Sequence, residues 1–103
     1  MQHFPIFLAV AGQTIVLSGG GDAAMAKLRL LFKTEAKLIV IAASTAPDIN
    51  RWAAQGKLTL ITRAVQPGDV TGAALFYAAN EDDAEDARVA AIARAEGALV
   101  NIV

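Results

Sequence analysis

The run Thr14-Ile15-Val16-Leu17 is apolar and largely β-branched without interruption, and one residue later it meets Gly19-Gly20-Gly21. A strand with no polar alternation is buried on both faces, and that happens only inside a sheet covered on each side. The same character returns in Leu38-Ile39-Val40-Ile41-Ala42, which predicts a second strand of this kind. Leu58-Thr59-Leu60-Ile61, Ala74-Leu75-Phe76-Tyr77-Ala78 and Leu99-Val100-Asn101-Ile102-Val103 supply a third, fourth and fifth.

Helical patterns separate most of these strands. From Asp22 to about Thr34, Ala24, Leu28, Leu31 and Phe32 share a face, with Lys27, Lys33 and Glu35 largely outside it. Residues 46–55 read as a helix stopped by Gly56, and residues 82–96 as a long Ala-rich helix stopped by Gly97. Residues 62–72, with Pro67-Gly68-Asp69, read as turn and loop with room for one helical turn near Val70. Strand and helix therefore alternate, and crossovers between parallel strands are right-handed. The expected architecture is α/β: an open parallel five-stranded sheet of order 3-2-1-4-5 with helices on both faces, the Rossmann type.

At 103 residues the chain has length for one core, so it is read as a single domain over 1–103. Its apolar share of 55% and charged share of 18% suit an ordered domain. The net charge is −1, and Lys and Arg are scattered along the chain, so nothing supplies a basic stripe for nucleic acid or an anionic membrane. Cysteine is absent, which removes disulfides, thiolate metal sites and a thiol nucleophile. No segment approaches the roughly 20 apolar residues of a membrane span. A soluble cytoplasmic protein is expected.

Gly19-x-Gly21-x-x-Ala24 follows the first strand and opens the first helix, the context in which this spacing binds a dinucleotide. The first glycine permits the tight turn, the second lets backbone approach a pyrophosphate, and the small Ala24 lets helix and sheet pack closely. N–H groups at the helix start then face the anion, assisted by the helix dipole. Many NAD-binding domains carry an acid about 20 positions further on for the adenosine ribose. This chain has Ala42-Ala43-Ser44-Thr45 there, so ribose contact falls to backbone near Ala43 or to the Ser44 hydroxyl. With no arginine near in sequence to clamp a 2′-phosphate, NAD is expected over NADP.

His3-Phe4-Pro5-Ile6-Phe7, Gly19-Gly20-Gly21-Asp22-x-Ala24-x-x-Lys27, Trp52-Ala53-x-x-Gly56-x-Leu58-Thr59-Leu60, the acids after Asn80, and Asn101-x-Val103 occur together along the whole chain. In this combination the sequence resembles the N-terminal domain of siroheme synthases, the precorrin-2 dehydrogenase and sirohydrochlorin ferrochelatase family. The resemblance implies a parent enzyme, expected to be a homodimer, that oxidises precorrin-2 to sirohydrochlorin with NAD and inserts ferrous iron. It implies cofactor contacts at Asp22, Ala23, Ala43 and Ser44. It also places an aspartate used in both reactions just after the strand ending at Val103, one residue past this sequence. The chain is accordingly expected to be a piece of a longer enzyme, limited by itself to binding dinucleotide and holding no catalytic residue. Ala26, Asn80 and Glu35 depart from the family's usual arginine, threonine and glycine.

The remaining polar residues each have a plainer reading beside the functional one. Asn80 is read first as a helix N-cap answered by Asp83, and second as an amide for the ribose or nicotinamide half of the cofactor. Glu81, Asp82, Asp83, Glu85 and Asp86 are read as complementing the helix dipole and facing water rather than binding metal. Lone His3 makes a poor metal site, and no metal site is expected. Trp52 is read as packing its helix on the sheet. Ser18 has no histidine partner and is not taken as a nucleophile. Lys27 is either an ordinary helix charge or a contact for substrate carboxylates. Beside the dehydrogenase reading stands a regulatory nucleotide-sensing domain of the potassium-transport type, which shares the glycine turn and the acids after the fourth strand. That class usually ends its second strand on an acid, which is missing here.

Overall fold

A computed structural model of the chain describes residues 2–103. Five strands, β1 (Thr14–Ser18), β2 (Lys37–Ile41), β3 (Thr59–Ile61), β4 (Leu75–Ala78) and β5 (Leu99–Ile102), form one sheet of order β3-β2-β1-β4-β5. Every pairing is parallel. The expected topology is the one observed. β1 lies at the centre between β2 and β4, which is why its sequence tolerates no polar alternation: Ile15, Val16 and Leu17 are each 1% exposed.

Helices α1 (Asp22–Leu31) and α2 (Pro47–Ala54) cover one face of the sheet and α3 (Asp83–Ala95) the other. The first core gathers Leu28 and Leu31 of α1 and Ile49 and Trp52 of α2 over Ile15, Leu17, Leu38 and Val40. Trp52 packs as expected and meets the edge of Phe32, with ring centroids 5.0 Å apart. The second core sets Val89 and Ala93 of α3 against Val16, Ile41, Phe76 and Ala78. Burying Phe76 there contributes roughly 2–3 kcal/mol by area.

α1 stops at Leu31, three residues before the expected end, because Lys33 and Thr34 turn back on the Leu30 and Leu31 carbonyls. No helix joins β3 to β4. Residues 62–73 cross the sheet as turns, with Val65 and Val70 fully buried in the second core. This crossing carries the chain from the β2 side of β1 to the β4 side. The carboxyl ends of β1 and β4 thus form the switch point at which open α/β sheets take their ligands.

Candidate functional site at the β1–α1 turn

β1 delivers the glycines directly to that switch point. Gly19 takes φ +144°, a value side chains rarely adopt, and a Cβ there would overlap the Ala79 carbonyl at the end of β4. At Gly20 a Cβ would overlap the Ser44 carbonyl beyond β2, and the Gly20 carbonyl in turn accepts from Ala46 N–H at 2.8 Å. The turn is therefore wedged between two neighbouring strand ends, and two of its glycines are demanded by the protein's own packing.

Gly21 differs. It is the N-cap of α1 in extended conformation, exposed, and a Cβ there would meet only Glu81 Oε1, at 3.8 Å. Without a side chain it cannot cap the first N–H groups of the helix, which have no intrahelical partners. Ala24, three residues on, is fully buried against the sheet, as its small size requires.

Of the acids after β4, Asp82 and Asp83 are exposed at the start of α3 as expected, whereas Glu81 and Asp86 take partners elsewhere. Asp82, not Asn80, caps α3: its carboxylate accepts from Glu85 N–H at 3.0 Å, while Asp83 lies inside the helix and answers no cap at Asn80. Glu81, which precedes the α3 cap, reaches across and accepts the Ala23 N–H of α1 at 2.6 Å. Asp86 is 4% exposed and accepts both the Asn80 backbone N–H and its side-chain N–H, each at 3.0 Å. Glu85 pairs with Arg88, whose guanidinium holds its carboxyl below the ordinary range.

Asn80 is consequently fixed from behind. Its amide nitrogen also donates to Ser18 Oγ at 3.0 Å, tying the ends of β1 and β4 together through buried Ser18. Since the Asp86 carboxylate only accepts, it sets which way the amide faces. Among the expected site residues, Gly19, Gly20, Gly21, Asp22, Ala23, Ser44 and Asn80 meet at this one edge. Ala43 stands beside them, exposed, at the end of β2. Lys27 lies one turn into α1, its ammonium 4.9 Å from the centre of the Tyr77 ring, whose phenol burial pushes up. His3 stays in the exposed leader, away from the turn.

Asp86 and Glu81 belong to this edge without having been expected there. For Asp86 a signal existed: it falls on the same helical stripe as Val89, Ala90 and Ala93, all buried. For Glu81 no local pattern could show that its side chain crosses to another helix 58 residues away in sequence.

Residues 6–103 match a family described as NAD(P)-binding. Among curated relatives, siroheme synthases of Chromobacterium violaceum and Citrobacter koseri are 40% and 37% identical over 103 residues. This chain spans 22% of the length of each. Among solved structures, SirC, a precorrin-2 dehydrogenase, superposes with a TM-score of 0.82 at 24% identity, covering 96% of this chain and 48% of its own. No helix among the described residues is long and apolar enough to cross a membrane.

Proposed function

Since this chain belongs to an NAD(P)-binding family, we propose that its glycine turn seats the pyrophosphate of NAD, and that it serves as the dinucleotide domain of a siroheme synthase. The observation that carries this reading is Gly21. It is a bare, open N-cap where the packing would admit a side chain, beside two glycines that the packing itself requires. A backbone surface kept clear at a helix N-terminus fits a phosphate group.

In this reading Gly19 and Gly20 fix the turn, while Gly21, Asp22 and Ala23 present backbone N–H groups to the pyrophosphate. The Ser44 hydroxyl and backbone near Ala43 meet the adenosine ribose. Asn80, its amide nitrogen spent on Ser18 and Asp86, offers its oxygen to the ribose or nicotinamide half. When bound, the nicotinamide would supply the hydride acceptor for oxidation of precorrin-2. The strand end Ala42–Thr45 carries no charge, and Arg29 and Arg51 share Asp48, at 3.8 and 2.9 Å, which supports NAD over NADP. Lys27, paired with the Tyr77 ring, is the residue of α1 proposed to meet tetrapyrrole carboxylates. The ferrous-iron insertion, homodimer and cytoplasmic setting of the parent enzyme belong to the same proposal.

Calorimetry of the chain with NAD, NADP and ATP tests this. NAD is expected to bind most tightly, and the full-length parent to form NADH from precorrin-2. Preferred binding of ATP, with no NADH from the parent, would overturn the reading.

A further inference from the structure

Glu81 is held in an unusual way for a residue that its own helix does not use. It is the one non-glycine residue at positive φ among those described, at 56°, a region that costs an ordinary side chain strain. α3 already has its cap in Asp82, so nothing in that helix requires Glu81 to turn back. The turn aims its carboxylate at α1, where Oε1 accepts the Ala23 N–H at 2.6 Å and lies over the bare Gly21. The residue is exposed, so water is at hand to receive the carboxylate if it leaves.

Resting on the pyrophosphate reading above, we propose that Glu81 is an intramolecular competitor for the dinucleotide seat, its carboxylate standing where the pyrophosphate must go. A pyrophosphate taking the Ala23 N–H has to displace it, both because one N–H cannot serve two anions well and because like charges repel at this distance. Tethered three residues beyond β4, the carboxylate acts at a high effective concentration. Free anions therefore meet a closed seat, and a dinucleotide opens it because its two nucleoside halves bring contacts of their own. Glu81 in this way lowers the affinity of the seat for every anion, and a dinucleotide still binds through the contacts of its nucleoside halves. Competition of this kind weakens every ligand of the seat by one common factor, which separates it from a direct contact to the nucleoside.

The test uses Glu81→Gln, which keeps shape and removes charge, and Glu81→Asn, which suits the left-handed backbone and is shorter. Calorimetry with NAD and with inorganic pyrophosphate should show both ligands binding tighter to both variants by a similar factor of roughly tenfold, the scale of one charge-assisted hydrogen bond. In the ligand-free variants the Ala23 amide proton should move upfield in the NMR spectrum, as a weakened hydrogen bond requires. NAD affinity unchanged or reduced in both variants, while Gly21→Val still weakens binding strongly, would overturn the inference and leave the pyrophosphate reading standing. Undiminished NAD binding by Gly21→Val would remove that reading and this inference with it.

Discussion

Two turns of this molecule present backbone N–H groups to a glutamate from a distant element, and they are closed to different degrees. In the loop of residues 62–73, Glu96 spends both oxygens: one accepts Gly68 N–H at 2.8 Å, the other Val70 N–H at 2.9 Å and the Thr71 hydroxyl at 3.1 Å. Within the same loop Asp69 takes a two-pronged bond from Arg63 and the Gln66 N–H. At the β1–α1 turn, Glu81 spends one oxygen on one N–H, above a glycine with open space around it. The first carboxylate completes a loop that stands in for a missing helix and pins Val65 and Val70 to the core. The second covers a surface that the fold leaves clear. Both set a carboxylate on backbone N–H groups of a distant segment, yet only the one with several donors belongs to the architecture.

The largest effects should separate the turn's own glycines. Gly20→Ala places a methyl on the Ser44 carbonyl and is expected to cost about 3 kcal/mol, lowering Tm by roughly 15 °C. Gly21→Val, in extended backbone with space for a side chain, should hold Tm within a few degrees and weaken NAD binding roughly a hundredfold. Thermal melts and calorimetry on the pair decide this. Equal loss of Tm in both variants would mean that the turn is as closed as the 62–73 loop.

Next comes the support behind the turn. Asp86→Ala leaves the Asn80 backbone N–H and side-chain amide without their buried acceptor, at a cost of about 2 kcal/mol. Because both bonds reach the same oxygen, Asp86→Asn can keep them and should cost less than about 1 kcal/mol. Denaturant unfolding measures both. Should the two variants prove equally destabilised, the carboxylate's charge rather than its acceptor geometry holds Asn80.

The sheet was readable in the sequence because its physics is local. Runs without alternation, such as residues 14–17, can only be interior strands, and Gly56 and Gly97 take the left-handed φ of 77° and 86° that ends their helices. The glycine motif located the β1–α1 turn for the same reason, since Gly19, Gly21 and Ala24 act within one turn. The packing demand on Gly20 was not legible, because its partner is the Ser44 carbonyl, set by how β2 lies beside β1 and by no residue near it. Asp86 was misread as part of a solvated block because composition treats five carboxylates alike. Tertiary packing gives Glu81, Asp82 and Asp86 three different partners: another helix, their own helix, and a buried asparagine.

The smallest effect concerns acid, and it probes the closed side of the comparison. The Gly68 N–H leads the groups that hold the Glu96 carboxyl below its ordinary value, and Arg63 does the same for Asp69. A carboxyl whose folded value is lowered contributes stability that is fully present above its unfolded pKa and is lost as pH falls through the folded value. The 62–73 loop should therefore keep its order down to about pH 4, near the free-glutamate value, and loosen progressively below it. Hydrogen-exchange protection at Gly68 and Val70, followed against pH, reads this directly. Glu96→Gln turns one acceptor into a donor facing an N–H, so protection at those amides should fall at neutral pH and its acid dependence should shrink. NAD affinity should stay within roughly twofold, because the loop's hydrogen bonds do not reach the glycine turn. A Glu96→Gln variant that binds NAD much more weakly would show that the two turns are coupled through the second core, and that the loop helps to hold the seat open.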